Sequence, residues 1–212
     1  MVKRFVFYLL GVIVTALGIV LNIRSGLGTS AVHSVSAVYS VMITRFSLGT
    51  WTIFMYFTFI LIQTLIYRKF LLKVLLQIPF SLVFGVVVDV FDYFIKFNKL
   101  NIIFSSILLV SSIALVGLGV SIMIHMDFVV NPSDGIVKSI AETINMEFGK
   151  TKIRFDSSMV VFSLVSMLLI KHRISFELIG IGTIFSALFL GRFVSFFSNI
   201  FGNYYDKIYI NN

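Results

Sequence analysis

Apolar residues run along this chain in long, nearly unbroken stretches over residues 5–23, 50–67, 74–95, 102–124, 153–170 and 176–201. Each is close to the roughly 20 residues that a helix needs to cross a bilayer. None alternates apolar with polar positions as the strands of an outer-membrane barrel do. The pattern predicts an all-α integral membrane protein with about six transmembrane helices.

Two further segments, 30–45 and 131–147, show helical periodicity but are too polar to face lipid unprotected. In the second, Asn131-Pro132-Ser133-Asp134 reads as an N-cap, a proline at the first helical position and an acidic residue in the first turn. Ile136, Ile140 and Ile144 then recur every four positions, while Lys138 and Glu142 form an i, i+4 ion pair on another face. Both segments are expected to be short polar helices that re-enter the membrane or lie at its interface.

The chain repeats itself. Ala16-Leu17-Gly18-Ile19 matches Gly117-Leu118-Gly119-Val120, and Ile23-Arg24 matches Ile124-His125 at the same offset. After a small gap, Tyr67-Arg68-Lys69 matches Ile170-Lys171-His172. Residues 1–100 and 101–203 therefore read as tandem repeats of one pattern (span, short polar helix, span, span), followed by a polar tail over 204–212. The register sets Ser30 opposite Asn131, so Ser30 is expected to cap the first short helix; it also sets His33 opposite Asp134 and Asp89 opposite Arg192. If the short helices stop within the membrane, each half has an odd number of spans and the second half is inverted, as in many transporters. If they cross, there are eight spans and the repeats are parallel.

Composition narrows the class further. At 58% hydrophobic and 12% charged residues, with mean hydropathy +1.04, the chain is far from a soluble domain. Its net charge of +8 comes from small Lys and Arg clusters at the ends of apolar runs. That placement orients a chain in a bilayer and forms no nucleic-acid stripe. Lys3, Arg4, Arg68 and Lys69 put the N-terminus in the cytoplasm. The apolar stretch after Arg4 is longer than the core of a signal peptide and is read as the first span. There is no cysteine, hence no disulfide and no thiolate chemistry. The chain has no His-Glu-x-x-His helix, no Gly-x-Ser-x-Gly elbow and no phosphate-binding Gly-rich loop, and His33, His125 and His172 are widely dispersed. No enzyme activity, cofactor or metal is expected. The expected partners are the lipid bilayer and a small-molecule solute, with a second copy or a partner membrane protein left open.

Ionisable residues within spans cost about 2.5–3.5 kcal/mol on insertion scales and are functional candidates by default. Arg192 lies within the last span, where it either snorkels to water or faces a polar cavity as an anion-binding group. Asp89 and Asp92 share a face near the end of the third; Asp89 is the candidate for proton coupling, and Asp92 is expected to reach the headgroups. A direct Asp89 to Arg192 pair requires parallel repeats or a central cavity. The starts of the two polar helices add Ser30, His33, Asn131 and Asp134, because helix N-termini present free N–H groups and partial positive charge. Arg154 and Asp156 read as a pair at a span boundary, Gln63 and Gln77 as hydrogen-bonding links between helices, and Pro79 as a kink. Gly11, Gly18, Gly180, Gly182 and Gly191 read as sites of close helix approach.

Gly26-Leu27-Gly28 after the first span, the short polar helix that follows, and Gly180-Ile181-Gly182-Thr183 with Gly191 resemble the YitT/YczE family of bacterial multi-pass membrane proteins over nearly the whole chain. In that family the first polar helix opens on Pro-Trp-Asp, where this sequence has Ala31-Val32-His33; its second half keeps Pro132 and Asp134 around Ser133. The resemblance implies a plasma-membrane location and this arrangement of helices. The resulting expectation is a bacterial permease or exporter of a small solute, anionic if Arg192 lines the path, that works by alternating access between two repeats. The alternatives are a non-transporting accessory or regulatory membrane protein, a substrate-binding subunit of a multi-component vitamin-type transporter, and a lipid-modifying enzyme.

Single cysteines at the repeat-equivalent positions Lys69 and His172 test the orientation. With inverted repeats an impermeant maleimide added to intact cells labels only one of the two, whereas with parallel repeats they behave alike.

Overall fold

The computed structural model describes residues 2–69, 71–97, 100–171 and 175–210; His172 and, from the C-terminal tail, Asn211 and Asn212 lie outside them. The described residues form α1 (Val2–Arg24), α2 (His33–Met42), α3 (Leu48–Tyr67), α4 (Leu72–Leu75), α5 (Gln77–Phe94), α6 (Ile102–Met126), α7 (Pro132–Thr143), α8 (Phe148–Lys171) and α9 (Ile181–Ile210), with no strand among them. Six stretches are long and apolar enough to cross a membrane: α1, α3, α4 with α5, α6, α8 and α9. The ten residues of α2 and twelve of α7 rise only about 15 and 18 Å against a hydrocarbon core of about 30 Å. They are half-helices, which removes the eight-span alternative. The third span breaks at Leu76, so Pro79 sits in the first turn of α5, where its missing N–H costs no helical bond.

The chain folds as two compact units, each drawing on both halves of the sequence. The first, Met1–Ser30, Val90–Phe128 and Phe176–Asn212, is built on α1, α6 and α9. α1 and α6 run antiparallel. Near one end, Arg4 Nε and Nη2 donate to Met126 O at 2.6 Å and Asp127 O at 2.9 Å, satisfying the last carbonyls of α6. Towards the other, Asn22 Nδ2 donates to Ser112 Oγ at 3.1 Å. Between these points the helices meet through small residues: a Cβ on Gly18 would lie 2.8 Å from Val116 N and 2.9 Å from Ser112 O, and one on Gly11 would lie 2.9 Å from Gly119 O. α9 runs parallel to α6, with Ser186 beside Asn22 and Ser198 Oγ 3.0 Å from Ser121 Oγ.

Gly180 and Gly182 do not serve helix–helix packing. They face the backbone of Leu27 and Gly28, where Leu27 O accepts from Gly182 N at 2.6 Å and Thr29 N donates to Leu178 O at 3.0 Å. Gly28 has φ +115°, and a side chain there would also run into Gly180 N and Thr183. The two glycine motifs are thus halves of one clasp between the end of α1 and the start of α9. Asp92 accepts from Arg24 Nη2 at 2.5 Å.

The second unit, Ala31–Asp89 and Val129–Ser175, contains the half-helices. α2 folds back antiparallel on α3 and lies parallel against α8, where Ser34 Oγ is 2.8 Å from Ser163 Oγ and Tyr39 OH is 3.3 Å from Ser166 Oγ. α7 folds back on α8 and lies parallel against α3, where Tyr67 OH donates to Glu142 Oε2 at 2.8 Å. Each half-helix therefore packs on its own following span and on that of the other half. It follows that α3 and α8 are antiparallel, as α1 and α6 are.

Replacing Gly18 by Val forces α1 from α6 and is expected to destabilise the protein by about 1–3 kcal/mol. At Gly191 an added Cβ would meet nothing within 4 Å among the described residues, so Gly191→Ala leaves stability unchanged or raises it by up to about 1 kcal/mol. Unfolding of the purified variants in detergent separates the two outcomes.

Candidate functional site

The N-terminal ends of α2 and α7 converge on one hydroxyl. His33, the first residue of α2, places Nε2 3.1 Å from the hydroxyl of Tyr56, the fully buried ninth residue of α3. Tyr56 also interacts with Asn131, the N-cap of α7. Asn131 Oδ1 accepts from Ser133 N and Ser133 Oγ, both at 3.0 Å, the cap that the Asn-Pro-Ser-Asp sequence predicts. In the first turn of α7, Asp134 reaches α8, where Lys152 Nζ lies 3.3 Å from Asp134 Oδ1 and 3.3 Å from Asp156 Oδ1.

One ammonium therefore faces two carboxylates, leaving the group a formal excess of one negative charge. The side chains of Lys152, Asp134 and Asp156 remain 27%, 32% and 21% exposed, while His33 and Tyr56 are buried. Burial, and after it the Lys152 charge, pushes the His33 imidazole down to about 4. It is neutral at physiological pH and acts as a fixed hydrogen-bonding partner for Tyr56.

The surroundings hold this arrangement in place. Gln63 and Gln77 exchange amide hydrogen bonds at 2.9 and 3.1 Å, as expected for residues that link helices. They press on Gly135, where a Cβ would lie 2.6 Å from Gln63 Oε1, which seats α7 tightly against α3. Tyr56 packs on Phe59, Phe80 and Phe84, and Phe59 meets Phe155 of α8 edge-on with ring centroids 5.5 Å apart.

Three of the residues singled out in the sequence, His33, Asn131 and Asp134, thus come together. The others have different places. Ser30 belongs to the first unit, and its carbonyl accepts from Thr29 Oγ1 at 3.2 Å; the N-cap position of α2 is Val32, whose side chain makes no cap bond. Asp89 accepts from Ser47 Oγ at 2.6 Å and Gly49 N at 2.7 Å, so it satisfies the N-terminus of α3. Arg192 is exposed on α9 with its guanidinium over the Phe189 ring at 5.1 Å.

Sequence reasoning missed Lys152 and Tyr56, and it matched Asp156 to the wrong cation. Residues two apart on a helix do not face each other, so Arg154 points away and is exposed. The i, i+4 spacing of Lys152 and Asp156 was the available signal. Tyr56 gave none, because a tyrosine among apolar residues reads as lipid-facing or interfacial.

In comparisons with known proteins, the chain is similar to the uncharacterized protein YyaS of Bacillus subtilis (strain 168), with 26% identity over 200 residues that cover 93% of each chain. No solved structure matches it. The resemblance to the YitT/YczE family rests on the glycine and polar-helix motifs alone. Residues 2–199 match the family of unknown function DUF6198, and the chain belongs to that family.

Proposed function

We propose that this protein is a proton-coupled solute permease of the bacterial plasma membrane rather than an enzyme, with its N-terminus in the cytoplasm and alternating access between two inverted repeats. The carrying observation is the meeting of two half-helix N-termini at Tyr56, inside a unit where Lys152 is held by carboxylates from α7 and α8. Discontinuous helices whose ends meet within the bilayer form the solute sites of inverted-repeat transporters. The antiparallel courses of α1 with α6 and of α3 with α8 support the inversion, since these are the matching helices of the two halves.

The charge of the site decides the class of traffic. An anionic solute was the expectation if Arg192 lined the path, but Arg192 is exposed over Phe189 and the cluster has an excess negative charge. The coupling proton belongs on Asp134 or Asp156. His33 is neutral at physiological pH and does not take up the coupling proton there.

In proteoliposomes loaded with a pH-reporting dye, a panel of amines, amino acids and organic acids is expected to contain a solute that drives proton movement through the wild type. Asp156→Asn lowers that flux by about tenfold or more. A silent panel, together with a stoichiometric membrane partner on purification, would favour the accessory reading.

His33 supplies a separate test. Its native pKa of about 4 lies below the usual 6.5, so the unfolded chain binds more protons between these values and stability falls as pH drops through that window. His33→Gln is expected to unfold with a shallower pH dependence between pH 6.5 and 4 while still moving protons with solute at neutral pH.

A further inference from the structure

We infer that the outer face of α9 is an intramembrane docking surface for a transmembrane helix of another protein, one that carries an Asp or Glu at mid-membrane depth to pair with Arg192. The inference does not depend on the permease reading.

α9 packs on α6 by one face. A Cβ on Gly117 would lie 2.6 Å from Phe193 Cβ, and Ser198 Oγ is 3.0 Å from Ser121 Oγ. The opposite face carries Ala187, Gly191, Arg192, Ser195 and Asn199, all exposed, at helical spacings that bring them into one band. Polar residues in spans almost always turn towards protein or a wet cavity. Here Arg192, Ser195 and Asn199 turn away from α6 and are left uncovered.

Arg192 lies too deep to be met by a lipid headgroup. It is eleven residues from Ile181 and ten from Gly202, the ends of the apolar stretch. Those separations are about 16 and 15 Å along the helix, which is the middle of a hydrocarbon core of about 30 Å. The guanidinium leans back over Phe189, and Phe189 is itself about 12 Å along the helix from Ile181. A ring attracts a cation but does not neutralise it. Among the described residues no carboxylate pairs with Arg192.

The charge selects the partner. A carboxylate complements a guanidinium in charge and in bidentate geometry. α9 has no acidic residue between Ile181 and Gly202, so two copies meeting through this face would set Arg192 against Arg192. Asp89, Asp92 and Asp156 of a second copy are already engaged, with Ser47 and Gly49, with Arg24 and with Lys152. The partner is therefore a different polypeptide. The shape of the face agrees with a helix as its occupant. Ala187, Gly191 and Ser195 recur every four residues, the small-xxx-small pattern that lets helix backbones approach closely, and Ser195 and Asn199 can hydrogen-bond across such a contact. An added Cβ at Gly191 meets nothing within 4 Å among the described residues, so packing within the chain does not require this glycine.

The probe is a synthetic Leu/Ala transmembrane peptide with one central Asp, compared with the same peptide bearing Leu at that position. The full-length protein, with a donor dye on a single cysteine at Lys3, is reconstituted with acceptor-labelled peptide in phosphatidylcholine vesicles. Saturable energy transfer is expected, with the Asp peptide binding about tenfold or more tightly than the Leu peptide. Arg192→Gln lowers the Asp peptide to the level of the Leu peptide, Arg192→Lys keeps most of the preference, and Gly191→Leu abolishes binding of both. Should Arg192→Gln fail to fold, the comparison of the two peptides on the wild type carries the same test. Equal binding of the two peptides, or undiminished binding by Arg192→Gln, would overturn the inference. So would loss of the Asp preference when phosphatidylglycerol is added, which would assign Arg192 to a lipid headgroup. Disulfide-linked dimers of Gly191→Cys in place of peptide binding would assign the face to a second copy. Solute flux is not read here, so failure of the docking surface and failure of the permease are distinguished.

Discussion

A helix of twelve residues cannot cross a bilayer, and this constraint governs the rest of the structure. The unpaired backbone groups at its ends must be met by protein wherever water does not reach them. For α7 the answer is local: Asn131 caps the first turn, Pro132 removes one donor, and Gly135 lets the helix seat against the Gln63–Gln77 amide pair. At the start of α2 the N-cap Val32 makes no side-chain bond, and the first residue, His33, makes a tertiary contact to Tyr56. Both half-helices are sheltered by α3 and α8 together, which brings their polar ends to one place.

Once polar helix ends are held there, charge follows. Asp134 is favoured at the positive end of α7, and it is paired with a cation. Lys152 supplies it from α8 and is shared with Asp156 one turn along. Removing Lys152 from such a group would leave two carboxylates without a counter-ion. Burial keeps His33 neutral, and the imidazole meets the Tyr56 hydroxyl as a hydrogen-bonding partner.

The first unit solves a different problem. It has helices of full span length and no comparable ionic cluster among its described residues, and it is held by close packing. Small residues let α1 and α6 approach until backbone meets backbone, and Asn22 bridges both partner helices through Ser112 and Ser186. The Gly26-Leu27-Gly28 and Gly180-Ile181-Gly182 motifs close it as a backbone clasp. In membranes, where apolar association gains little, packing and hydrogen bonds of this kind hold helices together.

The sequence by itself determined the membrane class, the long helices, the two short polar ones and the Asn131 cap. These depend on hydropathy runs and on side chains that act within a few residues of themselves. The Gln63–Gln77 link was also legible, because amides within spans have few other uses. Only the tertiary structure decided that Asp89 caps α3, that Asp92 belongs to Arg24, and that Lys152 rather than Arg154 answers Asp156. It also decided that Tyr56, indistinguishable in sequence from a lipid-facing aromatic, lies where two half-helices end. A charged or polar residue in a membrane span announces that it needs a partner, but the partner lies on another helix far away in the chain. Only the packing of those helices, set by glycines and half-helix lengths acting together, determines which one it meets.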